Sequence, residues 1–131
     1  MFGDFLQRII FVKKKIASII DMEEMDKNGG ADMYGLELSE LDLMKSFFSK
    51  TNHLDKVILY GSRAKGIYKP FSDVDITLIG DGLQFYDLSA LQDMLYYSNL
   101  PYFYDVSIFN EISNPALKDH IARRGLVIYE R

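Results

Sequence analysis

A chain of 131 residues, 48% hydrophobic and 14% aromatic, has the length of one domain and enough apolar surface to offset the entropy of ordering it, which excludes disorder. The sequence contains no cysteine, so neither a disulfide framework nor a thiolate metal site is available, and a reducing cytoplasm is the expected location. A formal net charge of -4 argues against a duplex nucleic-acid partner, which calls for basic patches, and no apolar run approaches the roughly 20 residues that cross a bilayer.

Phe5, Ile9, Val12, Ile16 and Ile19 stand three or four residues apart, the spacing of an amphipathic helix. Arg8 and Lys13 to Lys15 break up the apolar stretch, so the segment does not read as a signal peptide. Residues 21–32 are acidic and polar and include Asn28-Gly29-Gly30, which marks a linker. The expected organisation is therefore an N-terminal helix and linker over 1–32 and a domain over 33–131. The helix is free to pack on the domain, to pair with a copy of itself in a homo-oligomer, or to dock a partner.

Ser39 is an N-cap candidate with Asp42 in the first turn, and Leu41, Met44, Phe47 and Phe48 follow at helical spacing. Val57-Ile58-Leu59-Tyr60, halted by Gly61-Ser62, predicts a strand buried on both faces and ending in a tight turn. Arg63 to Gly66 then predicts a short helical turn. Asp73 to Ile79 alternates at first and stops at Gly80-Asp81-Gly82, as a strand does.

Leu88, Leu91 and Leu95 mark a further helix that must end near Pro101, followed by a strand over Tyr102 to Phe109. Phe85-Tyr86 and Tyr96-Tyr97 stand beside these leucines at helical spacing and are expected in the core. Asn114 caps a last helix, with Pro115 in its first position and Gly125 at its end. Leu126 to Tyr129 is a final strand. Strands alternating with helices predict an α/β fold, a mixed sheet packed against helices.

Strand alternation places Asp73 and Asp75 on one side and Val74 and Ile76 on the other. Two neighbouring carboxylates repel, and a hard divalent cation with a preference for oxygen, Mg²⁺, removes that penalty. An isolated Asp-x-Asp is more often a polar strand face. Here Gly61-Ser62 precedes it at a strand end, where glycine lets the backbone approach a ligand and the amides of a helical turn can hold phosphate. Asp105 interrupts the apolar run Tyr102 to Val106, where a charge is costly unless a cation or an ion-pair partner meets it. His53 and His120 each stand alone, without a second ligand at metal spacing.

Val57 through Gly66, followed by Ser72-Asp73-Val74-Asp75-Ile76, resembles the signature of the DNA polymerase β-like nucleotidyltransferases, and most closely their minimal prokaryotic members. Tyr104-Asp105-Val106-Ser107 and the run from Asn114 to Arg131 are similar to the family's third-carboxylate strand and closing helix. The resemblance implies a nucleotidyltransferase fold in which Asp73, Asp75 and Asp105 are catalytic and hold two Mg²⁺ ions, while Gly61 and Ser62 contact the phosphates of ATP. Arg63 and Lys65, in the turn after Ser62, are placed either to neutralise the leaving pyrophosphate or as solvated surface.

The implied activity is transfer of AMP to an acceptor hydroxyl. The implied partner is a HEPN-domain toxin, which such a protein neutralises as an antitoxin by adenylylating a tyrosine. Transfer to a small hydroxylated molecule such as an aminoglycoside, and a non-catalytic partner-binding module, are the alternatives.

Overall fold

The structure, a computed structural model, describes residues 32–131. The expected amphipathic helix over residues 5 to 20 lies outside the described residues. The described chain begins with a hairpin that periodicity does not reveal: β1 (Asp32–Met33) and β2 (Leu36–Glu37) pair antiparallel, Met33 opposite Leu36. Its two turn residues, Tyr34 and Gly35, have φ of 61° and 75°, the doubly left-handed geometry of a type I′ hairpin.

Helix α1 (Leu38–Ser49) follows β2 directly. Its cap is not Ser39, which lies within the first turn, but Glu37. A capping box closes the helix start, with the Glu37 backbone N–H donating to Glu40 Oε1 at 2.9 Å. The hairpin brings the extended residue to Glu37, so the helix opens two positions earlier than side-chain preference indicates.

Strand β3 (Lys56–Tyr60) leads into the short helix α2 (Gly61–Lys65), then come β4 (Val74–Ile79) and α3 (Phe85–Tyr97). Strand β5 (Tyr104–Ile108), a 3₁₀ turn at Phe109–Glu111, α4 (Pro115–Arg124) and β6 (Leu126–Glu130) complete the order. The four longer strands form one mixed sheet in the order β5-β4-β3-β6, with β4 and β5 parallel and the other pairs antiparallel.

One face of this sheet carries the core. Val57 and Leu59 of β3, Val74, Ile76 and Leu78 of β4, and Val106 and Ile108 of β5 are buried there with Met44 and Phe48 of α1 and Leu91 and Leu95 of α3. The opposite face holds Ile58, Tyr60, Asp75, Thr77 and Ser107, so β3 is only half-buried on that side rather than enclosed on both. Helix α4 covers Ile58, and Gly125 makes the approach possible: a Cβ there would run into Ile58 Cγ2. Gly125 adopts φ -69°, so it ends α4 by leaving room and not by a left-handed turn.

The aromatic pairs of α3 depart from expectation. Phe85 is 74% exposed, Tyr86 63% and Tyr97 61%, so these rings face outward. Leu88, Leu91 and Leu95, with Met94 packed beside the core, fill the inner side of α3, and Phe85, Tyr86 and Tyr97 fall on the outer side while Tyr96 is half-buried.

Candidate active site

The pairing of β3, β4 and β5 sets three side chains in a row across the sheet. Tyr60 lies opposite Asp75, and Asp75 lies opposite Asp105. Directly opposed residues share a face, so Tyr60, Asp75 and Asp105 stand side by side on the surface not used by the core. Asp73 comes one residue before β4 and is exposed. Burial of Asp75 raises its carboxyl above the ordinary range, and the charges of Asp105 and then Asp73 raise it further. Each of the three sequence-identified acids is thus within electrostatic reach of the same point.

They are not closed into a tight ligand set. Among the described residues no group of three acidic or imidazole side chains is gathered closely enough to hold an ion. The donor chemistry nevertheless fits a hard cation: every candidate ligand is a carboxylate oxygen, and the mutual repulsion that lifts Asp75 is the penalty such an ion relieves.

The Gly-Ser turn borders this row. Gly61 has φ 76° and opens α2, and a Cβ at this position would collide with Asp75 Oδ2 and approach its Cγ to 3.2 Å. Only glycine leaves the Asp75 carboxylate where it stands. Ser62 is half-buried beside it, and Lys65 is exposed two residues past Arg63.

Arg63 is placed elsewhere. It is 1% exposed, its guanidinium turned into the protein and bonded to backbone carbonyls of Ser72, Pro70 and Tyr34. The two cations that adjacent sequence positions present as equivalent therefore have opposite environments.

Two features of the site escape a reading of motifs. Tyr60 is half-buried, and burial pushes its phenol above the ordinary range, with Asp105 and Asp75 adding to the rise and a hydrogen bond with Ser107 opposing it. One row further along, Ser107 Oγ donates to Thr77 Oγ1 at 2.9 Å, and Thr77 is fully buried. A hydroxyl pair therefore lies next to the carboxylates along the same face. Its signal in the sequence is the alternation that sets Thr77 two residues after Asp75 and Ser107 two after Asp105. Strand register is what brings those pairs together.

His53 pairs its Nδ1 with Asp87 Oδ2 at 3.1 Å, beyond the opposite end of β3 from Tyr60. Asp87 also accepts from the Gln84 N–H at 2.9 Å in the capping box of α3. This histidine belongs to a helix start and not to the carboxylate row.

A family model described as polymerase beta, nucleotidyltransferase, matches residues 43–131, which spans α2, β4 and β5. No curated protein matches the chain. One solved structure with the same fold is described as a toxin-antitoxin with AMP-PNP: the TM-score is 0.58 at 18% identity, over 70% of this chain and 73% of the other. Another, a mutant of the toxin-antitoxin MntA-HpeT, gives a TM-score of 0.56 at 15% identity, over 70% and 73% of the two chains. At these identities the likeness is one of fold. Among the described residues no helix is long and apolar enough to cross a membrane.

Proposed function

Because the chain belongs to the polymerase beta nucleotidyltransferase family, we propose that it transfers AMP from ATP to an acceptor hydroxyl, with Asp73, Asp75 and Asp105 holding Mg²⁺. The observation that carries this reading is the row in which Asp75 and Asp105 stand opposite each other with Gly61 pressed against Asp75. When bound, paired Mg²⁺ ions stabilise both the attacking and the leaving oxygens of an in-line displacement.

The chain's own residues then have distinct tasks. Gly61, lacking a Cβ, lets the triphosphate approach the turn, Ser62 contacts its oxygens, and exposed Lys65 offsets the charge of the leaving group. Asp105, exposed on the edge strand, receives the proton of the acceptor hydroxyl. As that oxygen bonds to the α-phosphorus, the bond to pyrophosphate breaks, and the nucleotide is left esterified to the acceptor.

The acceptor we infer is a tyrosine of a HEPN-domain toxin, with this chain as the antitoxin. Two supports bear on it: the motif resemblance to minimal nucleotidyltransferases, and the fold likeness to two structures described as toxin-antitoxin complexes, one of them with AMP-PNP. Incubation with ATP, Mg²⁺ and a helical protein encoded beside it is expected to add AMP to that protein, read by intact mass. Asp73→Asn with Asp75→Asn is expected to abolish the addition. If folded wild-type chain repeatedly adds nothing, the antitoxin reading fails. If the doubly substituted chain still neutralises the partner fully, neutralisation occurs by binding alone.

A further inference from the structure

The side chain of Arg63 is among the largest fully buried groups in the molecule. A cation removed from water is costly unless its donors find acceptors, and here four N–H···O bonds run to three backbone carbonyls. Nε donates to Ser72 O at 3.1 Å, and Nη2 donates to the same oxygen at 2.7 Å and to Pro70 O at 3.2 Å. Nη1 donates to Tyr34 O at 3.0 Å. The guanidinium carbon lies 4.7 Å from the Tyr102 ring centre and 5.4 Å from that of Tyr68, within the range of cation–π attraction.

These partners come from the turn of the opening hairpin, from the connection between α2 and β4, and from the segment just before β5. Arg63 itself follows Gly61-Ser62 in α2. Ser72 O is the carbonyl of the peptide that leads into Asp73, and two N–H groups grip it in the planar fork only arginine supplies. Tyr102 precedes β5, which carries Asp105, and the Val74 N–H donates to Phe103 O at 2.9 Å to tie that strand's approach to β4. The hairpin turn closes over the guanidinium: a Cβ on Gly35 would lie 2.7 Å from Nη1. Tyr102 in turn donates to Glu40 Oε1 at 2.8 Å.

We propose that Arg63 is a positioning residue that sets the separation between the Gly61-Ser62 turn and the Asp73–Asp75 carboxylates by clamping the Ser72–Asp73 peptide from beneath. Its functional consequence rests on the nucleotidyltransferase reading; the clamp itself does not. Being buried, Arg63 acts through Asp73 and Asp75 and leaves the triphosphate to Ser62 and Lys65. The residue that motif reading places beside the phosphates thus serves the metal-ligand side of the site.

The test uses Arg63→Lys, which keeps the charge and loses the fork, and Tyr68→Leu, which removes one ring over the guanidinium. Peptide-resolved amide exchange is expected to rise over residues 66–75 and 32–37 in both variants, less in the second, with α3 and β6 unchanged. Mn²⁺ titration followed by electron paramagnetic resonance is expected to need at least tenfold more metal for half-saturation in Arg63→Lys. In transfer assays, the Mg²⁺ requirement is expected to rise while the KM for ATP at saturating Mg²⁺ stays within threefold. A loss of fold stability alone would lower the melting temperature without moving the metal titration of the folded fraction.

Unchanged exchange over residues 66–75, or an unchanged Mn²⁺ titration, overturns the proposal, as does a KM for ATP that rises with no change in metal requirement. If wild-type chain takes up no Mn²⁺, the metal-site reading fails separately, and the exchange pattern still decides the clamp. If Arg63→Lys does not fold, Tyr68→Leu decides it by the same readouts.

Discussion

A carboxylate at Asp75 has another directly across the ladder at Asp105 and a third two residues back at Asp73, and partial burial of Asp75 removes some of the water around its own charge. Its pKa is raised in the folded chain, so the folded state holds its proton more tightly than the unfolded state does. The stabilising contribution of the protonated form is complete below the unfolded value of 3.8 and is lost as pH rises through the folded value. At neutral pH the charged group therefore costs stability. Like charges directly opposed cost roughly 0.2–1 kcal/mol. Asp75→Asn is accordingly expected to melt a few degrees higher than wild type at pH 7 in EDTA, and the difference should shrink as pH is lowered into the carboxylate range. A melt series against pH checks both the sign and the window.

Gly61 makes the opposite kind of demand. Alanine there meets a left-handed φ, which costs roughly 1–2 kcal/mol, and displaces the Asp75 carboxylate besides. Gly61→Ala should lower the melting temperature by several degrees and lose the Mg²⁺-dependent rise in melting temperature expected of wild type. A melt that falls while the response to Mg²⁺ survives would mean that Asp75 can move aside without harm. Both residues are legible in the sequence as a motif. Their close approach is not, because Gly61 opens α2 just past the end of β3 while Asp75 lies on β4, and the two meet only through the register of β3 with β4.

At the scale of elements, α4 shows how local chemistry and packing divide the work. Asn114 Oδ1 accepts from the Ala116 and Leu117 N–H groups at 2.9 and 3.4 Å, with Pro115 in the first position, as the spacing alone indicates. Asn114→Ala is expected to cost about 1 kcal/mol, read by denaturant titration. The other end of α4 follows a tertiary rule. Gly125 is required by the closeness of Ile58 Cγ2 and of Ile121 O, so Gly125→Ala should cost about 1–3 kcal/mol through overpacking, although its own backbone angles suit any residue.

Helix α3 makes the converse point. Phe85 and Tyr86 lie next to core leucines in the sequence and face outward in space. Phe85→Ser should change stability by no more than about 0.5 kcal/mol, whereas a core ring would cost several times that. The capping of α1 by Glu37 was equally out of reach of local reading, since Ser39 has the better intrinsic preference. The two-residue hairpin decides where that helix begins.

For the whole molecule, the sheet order β5-β4-β3-β6 pairs residues as near in the chain as Tyr60 and Asp75 and as far apart as Lys56 and Glu130, and one parallel pairing, β4 with β5, sets Asp105 beside Asp75. Anything that binds only the assembled site should stabilise the fold by mass action, about 2.7 kcal/mol at a concentration one hundred times Kd. AMP-PNP with Mg²⁺ is therefore expected to raise the melting temperature of wild-type chain, EDTA to remove the effect, and Asp73→Asn with Asp75→Asn to show none. An equal rise in the doubly substituted chain would place nucleotide binding elsewhere.

The sequence by itself determined the types of the main elements from α1 to β6, the mixed α/β architecture and the acidic and Gly-Ser motifs, because helical spacing, strand alternation and turn residues are local signals carried within a few positions. Tertiary structure decided which of those residues meet: that Asp75 faces Asp105 across a parallel pair, that Tyr60 and Ser107 join their layer, and that the α3 rings stay outside. It also drew Arg63 inward while leaving Lys65, two positions on, in water. Register and burial are properties of the assembled sheet and of the closing hairpin, and no stretch of chain encodes them alone.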